Sequence, residues 1–283
     1  MKRIIFIGVF NAIVLCSHAH PGVGIVMDSK GNVFYTDLTH VWKIDTNGNK
    51  SLAVRNVHTH ELYVDEHDNL FGEHLWYDAN RPSDWAHFIW RLSAGGRYEK
   101  IIPDTDGFRE DYSFVRDFHG NMYWADRSNE CQKIIRKDKS GNRVELSKSC
   151  LKDIRWMYAT PDGIVYFMDG FDLKQMNTNG TISTVALHLQ ENTKTNFSNS
   201  DPHLVMGLHA NTQGEVHVAV YGGGKVKKVS RDKNVTTARQ TDAQWLPTGV
   251  LNAPNGDLWI LECSATNAVR VERFTKDNRR IVY

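Results

Sequence analysis

The sequence predicts an all-β chain folded as a six-bladed β-propeller, and three observations carry that prediction. An apolar run, a turn of Asp, Asn and Gly, an aromatic-rich run and a second turn recur at intervals of roughly 40 residues, the length of a four-stranded blade. The runs between turns are short and rich in Val, Ile, Tyr, Phe and Trp, which suits pleated, half-buried strands. No segment carries an apolar stripe at helical spacing.

The six copies read in order GIVMDSKGNVFYTDLTHVWKIDTNGN, ELYVDEHDNLFGEHLWYD, SFVRDFHGNMYWADR, WMYATPDGIVYFMDGFDLKQMNTNG, MGLHANTQGEVHVAVYGGGKVKKVSRDKN and GVLNAPNGDLWILECSATNAVRVERFTKDN. Their turns are anchored at Gly31-Asn32, Asp68-Asn69, Gly120-Asn121, Asp162-Gly163, Gln213-Gly214 and Asn255-Gly256. Gly and Asn tolerate the positive φ of a tight hairpin, so the anchors have a mechanism. The second copy carries an insertion, DANRPSDWAH, between its second and third strands, and this is expected to overhang the channel. The polar residues 190–201 link the fourth and fifth copies.

Ahead of the repeats stand Lys2 and Arg3, an apolar run over residues 4–15, and the tripeptide Ser17-His18-Ala19. That pattern reads as a signal peptide over 1–19 with cleavage after Ala19, leaving residues 20–283 as one propeller, secreted or periplasmic. No later run approaches the roughly 20 apolar residues of a membrane helix, so no membrane span is expected. A formal net charge of +1 gives no electrostatic reason to bind nucleic acid, and a monomer is expected. Cys131 and Cys150 flank the hairpin turn at Ser140-Gly141-Asn142 and count out to opposed positions, which predicts a disulfide. Cys263, at the rim after Glu262, is left as a buried free thiol or a soft metal ligand.

The first copy, with GIVMDSKGNVFYTD and then VWKIDTNG, resembles NHL-repeat propellers and the broader gluconolactonase-type six-bladed group. The resemblance implies the fold. In such a ring the innermost strand of each blade lines a central channel and the next strand returns antiparallel, so strand-one starts and strand-two ends share one rim. On that rim fall His20, His58, His60, Glu61 and His203 at strand-one starts, and Glu73 and His74 at a strand-two end, where other blades place Asp37, Asp126, Asp169 and Glu262.

His58 and His60 stand two apart, ligand spacing for an extended chain, and imidazole suits copper, zinc, iron or nickel. Three metal readings stay open. A mature N-terminal His20, stiffened by Pro21, offers an amine and an imidazole to copper, an arrangement that resembles the histidine brace of lytic polysaccharide monooxygenases and implies oxidative chemistry. Resemblance to peptidylglycine amidating lyase implies zinc held by His58 or His60, His74 and His203, with lyase or hydrolase chemistry. The gluconolactonase-type resemblance implies calcium third, with Glu61 supplying a carboxylate. Beside the histidines, Arg109, Glu110, Asp111 and Tyr112 precede the third copy, while Asp126 and Arg127 end its second strand. Glu73, Arg109, Tyr112, Asp126 and Arg127 are the candidate catalytic and substrate-binding residues, arginine offering a planar fork to a carboxylate or phosphate. Trp85, Trp156 and Trp245 stand near blade openings, where they either stack on a ligand ring or wedge between blades. The expected ligand is a small molecule, a saccharide or a peptide, handled by an enzyme or held by a non-catalytic binder.

Overall fold

Three of the six predicted hairpin turns are built by one device, an Asp whose carboxylate gathers the N–H groups of the turn, while Asn211 and Thr160 accept in its place in two others. Asp28 Oδ1 accepts from Asn32 N at 2.7 Å and its Oδ2 from Asn32 Nδ2 at 2.6 Å, and Asp65 with Asn69 and Asp117 with Asn121 repeat the pattern. The turns need one residue in the left-handed region, supplied by Gly31 at φ 85° in the first and by Asp68 at φ 60° in the second. A computed structural model describes residues 21–283 of the chain.

These turns join six antiparallel sheets in chain order. Blade 1 holds β1 (Ile25–Met27), β2 (Val33–Thr36), β3 (Val41–Ile44) and β4 (Lys50–Val54); blade 2 holds β5 (Leu62–Val64), β6 (Leu70–Tyr77), β7 (Trp85–Leu92) and β8 (Tyr98–Asp106). Blade 3 holds β9 (Met122–Asp126), β10 (Lys133–Lys137) and β11 (Arg143–Glu145), its innermost strand being reduced to a bridge between Arg116 and Met122. Blade 4 holds β12 (Ile154–Ala159), β13 (Val165–Asp169), β14 (Asp172–Met176) and β15 (Ile182–Ala186). Blade 5 holds β16 (Leu208–Ala210), β17 (Val216–Val220), β18 (Lys225–Val229) and β19 (Val235–Gln240). Blade 6 holds β20 (Trp245–Asn252), β21 (Leu258–Ser264), β22 (Val269–Phe274) and β23 (Arg280–Val282).

The ring closes because apolar residues fill every seam between neighbouring blades. Phe34 and Val41 meet Leu70 and Trp90 between blades 1 and 2, Phe71 and Ile89 meet Phe114 between 2 and 3, and Tyr123 and Ile134 meet Ile154 and Phe167 between 3 and 4. Met168 and Leu173 meet Val216 and Val218 between 4 and 5, and Met206 and Val226 meet Val250 and Ile260 between 5 and 6. The last seam joins the ends of the fold: Trp259 and Leu261 of blade 6 pack on Ile25, Tyr35 and Ile44 of blade 1. This is the predicted six-bladed β-propeller. The innermost chain segments of the six blades surround a cavity of about 450 Å³.

Blade 2 departs from the expected boundaries. Glu73 and His74 lie in the middle of β6 and not at its end, because LFGEHLWY keeps its strand pattern through Tyr77 before a breaker appears at Asp78. The inserted loop is shorter than the sequence suggests, Trp85 to His87 being already part of β7. The Cys131–Cys150 disulfide bridges the chain just before β10 and just after β11, as predicted. Cys263 is buried and free. Among the described residues no helix is long and apolar enough to cross a membrane.

Candidate functional site

The rim segment before β5 is fixed from both sides. Val23 N and Gly24 N donate to His60 O at 3.0 and 2.9 Å, and Thr36 Oγ1 donates to Thr59 O at 2.8 Å. Thr59 Oγ1 in turn accepts from Glu73 N at 3.1 Å. Below it, Gly72 leaves room for the buried Trp90, whose Nε1 donates to Glu73 O at 2.8 Å. The Glu73 side chain is thereby aimed at the segment that carries His60.

A charged chain results. Arg109 Nε stands 2.7 Å from Glu73 Oε2, Arg109 Nη2 stands 3.0 Å from Glu61 Oε2, and His60 Nδ1 stands 3.4 Å from Glu73 Oε1. Burial alone would raise the Glu73 carboxyl, but the Arg109 guanidinium and then the His60 hydrogen bond outweigh it and hold the group at about 2. Arg109 is itself kept cationic: burial works against its charge, and Glu73 and Glu61 more than compensate. Its guanidinium also lies over the Phe114 ring, 4.7 Å from the centroid. His60, Glu61, Glu73 and Arg109 are thus brought together, drawn from blade 2 and from the connection into blade 3.

The other two blade 2 histidines are placed structurally. His74 Nδ1 accepts from His58 N at 2.9 Å, and the His74 ring packs on Trp76 and Phe88. His58 meets His60 edge to face, with ring centroids 4.7 Å apart, and burial followed by the neighbouring His60 lowers its basicity. Burial also lowers that of His74, with Lys100 next in weight. His203 sits in a short 3-10 turn before β16, its Nδ1 2.8 Å from Asp201 Oδ1. His20 lies outside the described residues.

A resident divalent metal does not fit this donor set. Both Glu73 oxygens are engaged by Arg109 and His60, a guanidinium occupies the centre of the group, and the inner nitrogen of His74 takes a backbone N–H. Among the described residues no three His, Cys, Asp or Glu side chains stand as a metal-holding group. The expected sets for zinc through His58, His60, His74 and His203, and for calcium through Glu61, are not assembled here.

The remaining rim candidates divide by what they hold. Asp126 Oδ1 accepts from Ser128 N at 2.9 Å and closes a turn. Its counterparts brace the strand that follows: Asp37 accepts from Trp42 Nε1, Asp169 pairs with Lys174, and Glu262 pairs with Arg270. Tyr112 stacks beneath Arg116, 4.8 Å from ring centroid to guanidinium. Arg127 donates from Nε and Nη2 to Ile154 O at 3.2 and 2.7 Å, and burial followed by the like charge of Arg155 lowers its basicity. Among the described residues no carboxylate pairs with it. Trp245 lies under Arg270, at 4.4 Å, and Trp156 lines the channel.

Inside the channel stand residues that the sequence did not single out. Arg116 lies over Tyr63 at 5.1 Å, and Tyr158 packs on His209 with centroids 4.2 Å apart. Asn252 Nδ2 donates to His209 O at 3.0 Å, and burial followed by the neighbouring His217 holds His209 down at about 3, so its ring is neutral at physiological pH. The available signal was positional: each is a polar or aromatic residue within the innermost segment of its blade.

No protein-family model matches the sequence, and no curated protein matches it. Solved structures do share the fold. A gluconolactonase from Xanthomonas campestris is 12% identical, with 84% of this chain aligned to 81% of that one at a TM-score of 0.59. Regucalcin from Agrobacterium tumefaciens, a calcium-binding protein, is 14% identical over 85% of this chain and 81% of its own, TM-score 0.54. A streptogramin B lyase is 14% identical over 94% and 84%, TM-score 0.55. At such identity these likenesses establish the six-bladed architecture and no activity.

Proposed function

We propose that the channel mouth acts on a small polar substrate carrying an anionic group with His60 as the base: in a lyase reaction it takes the proton α to that group while the β substituent leaves with its bonding pair, and in a hydrolase reaction it takes a proton from the water that attacks the ester carbon while the alcohol leaves. The observation that carries this reading is the unbroken Arg109–Glu73–His60 chain. A buried carboxylate that stays ionised accepts the Nδ1–H of an imidazole, fixes its tautomer and directs an incoming proton to Nε2. The imidazolium that forms is stabilised by the same carboxylate. Arg109 keeps Glu73 from taking the proton itself. Arg127, whose two donors to Ile154 O leave the rest of its fork for a ligand, is suited to hold the substrate's carboxylate or phosphate. Export of the protein is part of the proposal and rests on the basic, apolar and small-residue start of the chain.

The test is a screen of lactones, aryl esters and β-acyloxy carboxylates with purified protein, followed through pH. Turnover should follow one ionisation and fall at least about 100-fold in His60→Gln. Turnover should also fall in Glu73→Gln, because the carboxylate that orients the His60 ring is gone. If nothing on the panel turns over in a His60-dependent way, the propeller belongs with the non-catalytic binders.

A further inference from the structure

The second strand of blade 2 continues four residues beyond Glu73, roughly 13 Å at strand rise, to the exposed Tyr77 at the tip of its hairpin. Three aromatic rings gather there. Tyr77 is 62% exposed and Phe108 57%, while Trp85 lies half-buried between them, 5.8 Å from Tyr77 at 83° and 5.6 Å from Phe108 at 32°. Phe108 directly precedes Arg109, so the rings adjoin the charged chain of the mouth.

The tip is rigid. Asp78 N donates to Asp84 O at 2.9 Å, Arg81 N to Asp78 O at 2.9 Å, and Gly107 N to Trp85 O at 2.8 Å, which locks the Phe108 connection to the hairpin. His87 Nδ1 braces the same connection, 2.7 Å from Gly107 O. Rings held in water by a preorganised frame leave apolar surface uncovered, and such placement marks a binding surface.

We propose that Tyr77, Trp85 and Phe108 form a subsite for a sugar ring. A pyranose presents an apolar C–H face, which stacks on an aromatic ring, and a hydroxyl rim that needs donors and acceptors. The rings supply the first, with Trp85 and Phe108 as a shallow floor and Tyr77 as a wall; the Asp78, Asn80 and Arg81 cluster that follows Tyr77, whose members bond to one another, would supply the second through its remaining donors and acceptors. Other occupants fit less well. Asp78, Asp84, Asp104 and Asp106 outnumber Arg81 and Lys100 around the tip, which opposes an anionic bilayer or a nucleic acid. Three rings fall short of the roughly 800 Å² per partner that a stable protein interface buries. As a second anchor for the substrate the subsite rests on the proposed reaction at the mouth, but its binding is measurable without turnover.

The probes are neutral hexasaccharides of β-1,4-glucose, α-1,4-glucose, β-1,3-glucose and β-1,4-N-acetylglucosamine, titrated into the full chain by calorimetry and by tryptophan fluorescence. At least one should bind, with roughly tenfold weaker binding in Tyr77→Ala and in Phe108→Ala. Trp85→Phe should remove the fluorescence response. Circular dichroism checks that each variant keeps its fold. Absence of binding by every probe overturns the subsite, as does parent-like affinity in the folded Tyr77→Ala and Phe108→Ala variants, or sedimentation of the chain with phosphatidylcholine vesicles through the same rings. Sugar binding without His60-dependent turnover would instead overturn the reaction and leave the subsite standing.

Discussion

Arg109 binds Glu73 through Nε at 2.7 Å and Glu61 through Nη2 at 3.0 Å, so one guanidinium ties a buried carboxylate to a rim carboxylate. Removing it strands the negative charge of Glu73, whose side chain is only 6% exposed. Arg109→Ala should therefore cost about 3 kcal/mol in urea unfolding at pH 7. The sign of the pH dependence follows from the depressed carboxyl. Its contribution is complete above the unfolded value and fades as pH falls toward 2, so the variant should also lose acid sensitivity below about pH 4. Arg109→Lys should recover part of the loss, since an ammonium lacks the fork that serves two acceptors. Equal unfolding midpoints for parent and Arg109→Ala would show that the tie bears no load.

Gly72 controls the site from beneath. A Cβ added there would lie 2.2 Å from Trp90 Cζ2 and 2.9 Å from Thr59 Oγ1, so the indole must move, and with it the donor to Glu73 O. Gly72→Ala should destabilise the fold by about 2 kcal/mol and displace Glu73 from His60. Turnover should then fall as it does in Glu73→Gln. Parent-like turnover in a folded Gly72→Ala protein would sever Trp90 from the function of the mouth.

The architecture was legible because its signals are local. Asp28-x-x-Gly31-Asn32 and its repeats specify turns within five residues, and the runs between them can be nothing but strands. Which side chains meet is set by strand length and seam packing, and there the sequence misled. His58 and His60 precede β5, outside any strand, so spacing of two did not aim them at one ion. The extension of β6 through Tyr77 turned Glu73 from an end residue into the buried centre of an ion-pair chain. Glu61, Glu73 and Arg109 were each identifiable as rim residues, but their mutual neutralisation was not, because no repeat marks Arg109, which sits in the connection between two blades.

The Cys131–Cys150 bridge closes a loop with a sequence separation of 19 around the outer hairpin of blade 3. Blade 3 has the fewest strands, and β11 at its edge is exposed along its length. The Cys131→Ser, Cys150→Ser double variant should lose about 3 kcal/mol, seen as a lower Tm that no longer responds to reductant. Because the bridge lies on the outer edge, turnover and sugar binding per folded molecule should be unchanged. Loss of either in the folded variant would place blade 3 in closer control of the mouth than the structure indicates.

His209 and His217 face each other across β16 and β17, and burial is the first cause of the low basicity of both, about 3 for His209 and about 4 for His217. In the unfolded chain each titrates near 6.5. Between roughly pH 6.5 and the folded values the unfolded state therefore binds more protons, so stability must fall as pH falls, by about 1.4 kcal/mol per pH unit for each histidine. His209→Gln keeps an acceptor for Asn252 Nδ2 and removes one titration, so it should roughly halve the slope that this pair contributes from pH 6 to pH 4.5. Urea unfolding at four pH values in that interval measures it. A slope unchanged by His209→Gln would mean that acid reaches the channel and protonates the imidazole in the folded state, and that the ring is less secluded than its contacts with Tyr158 and Asn252 imply.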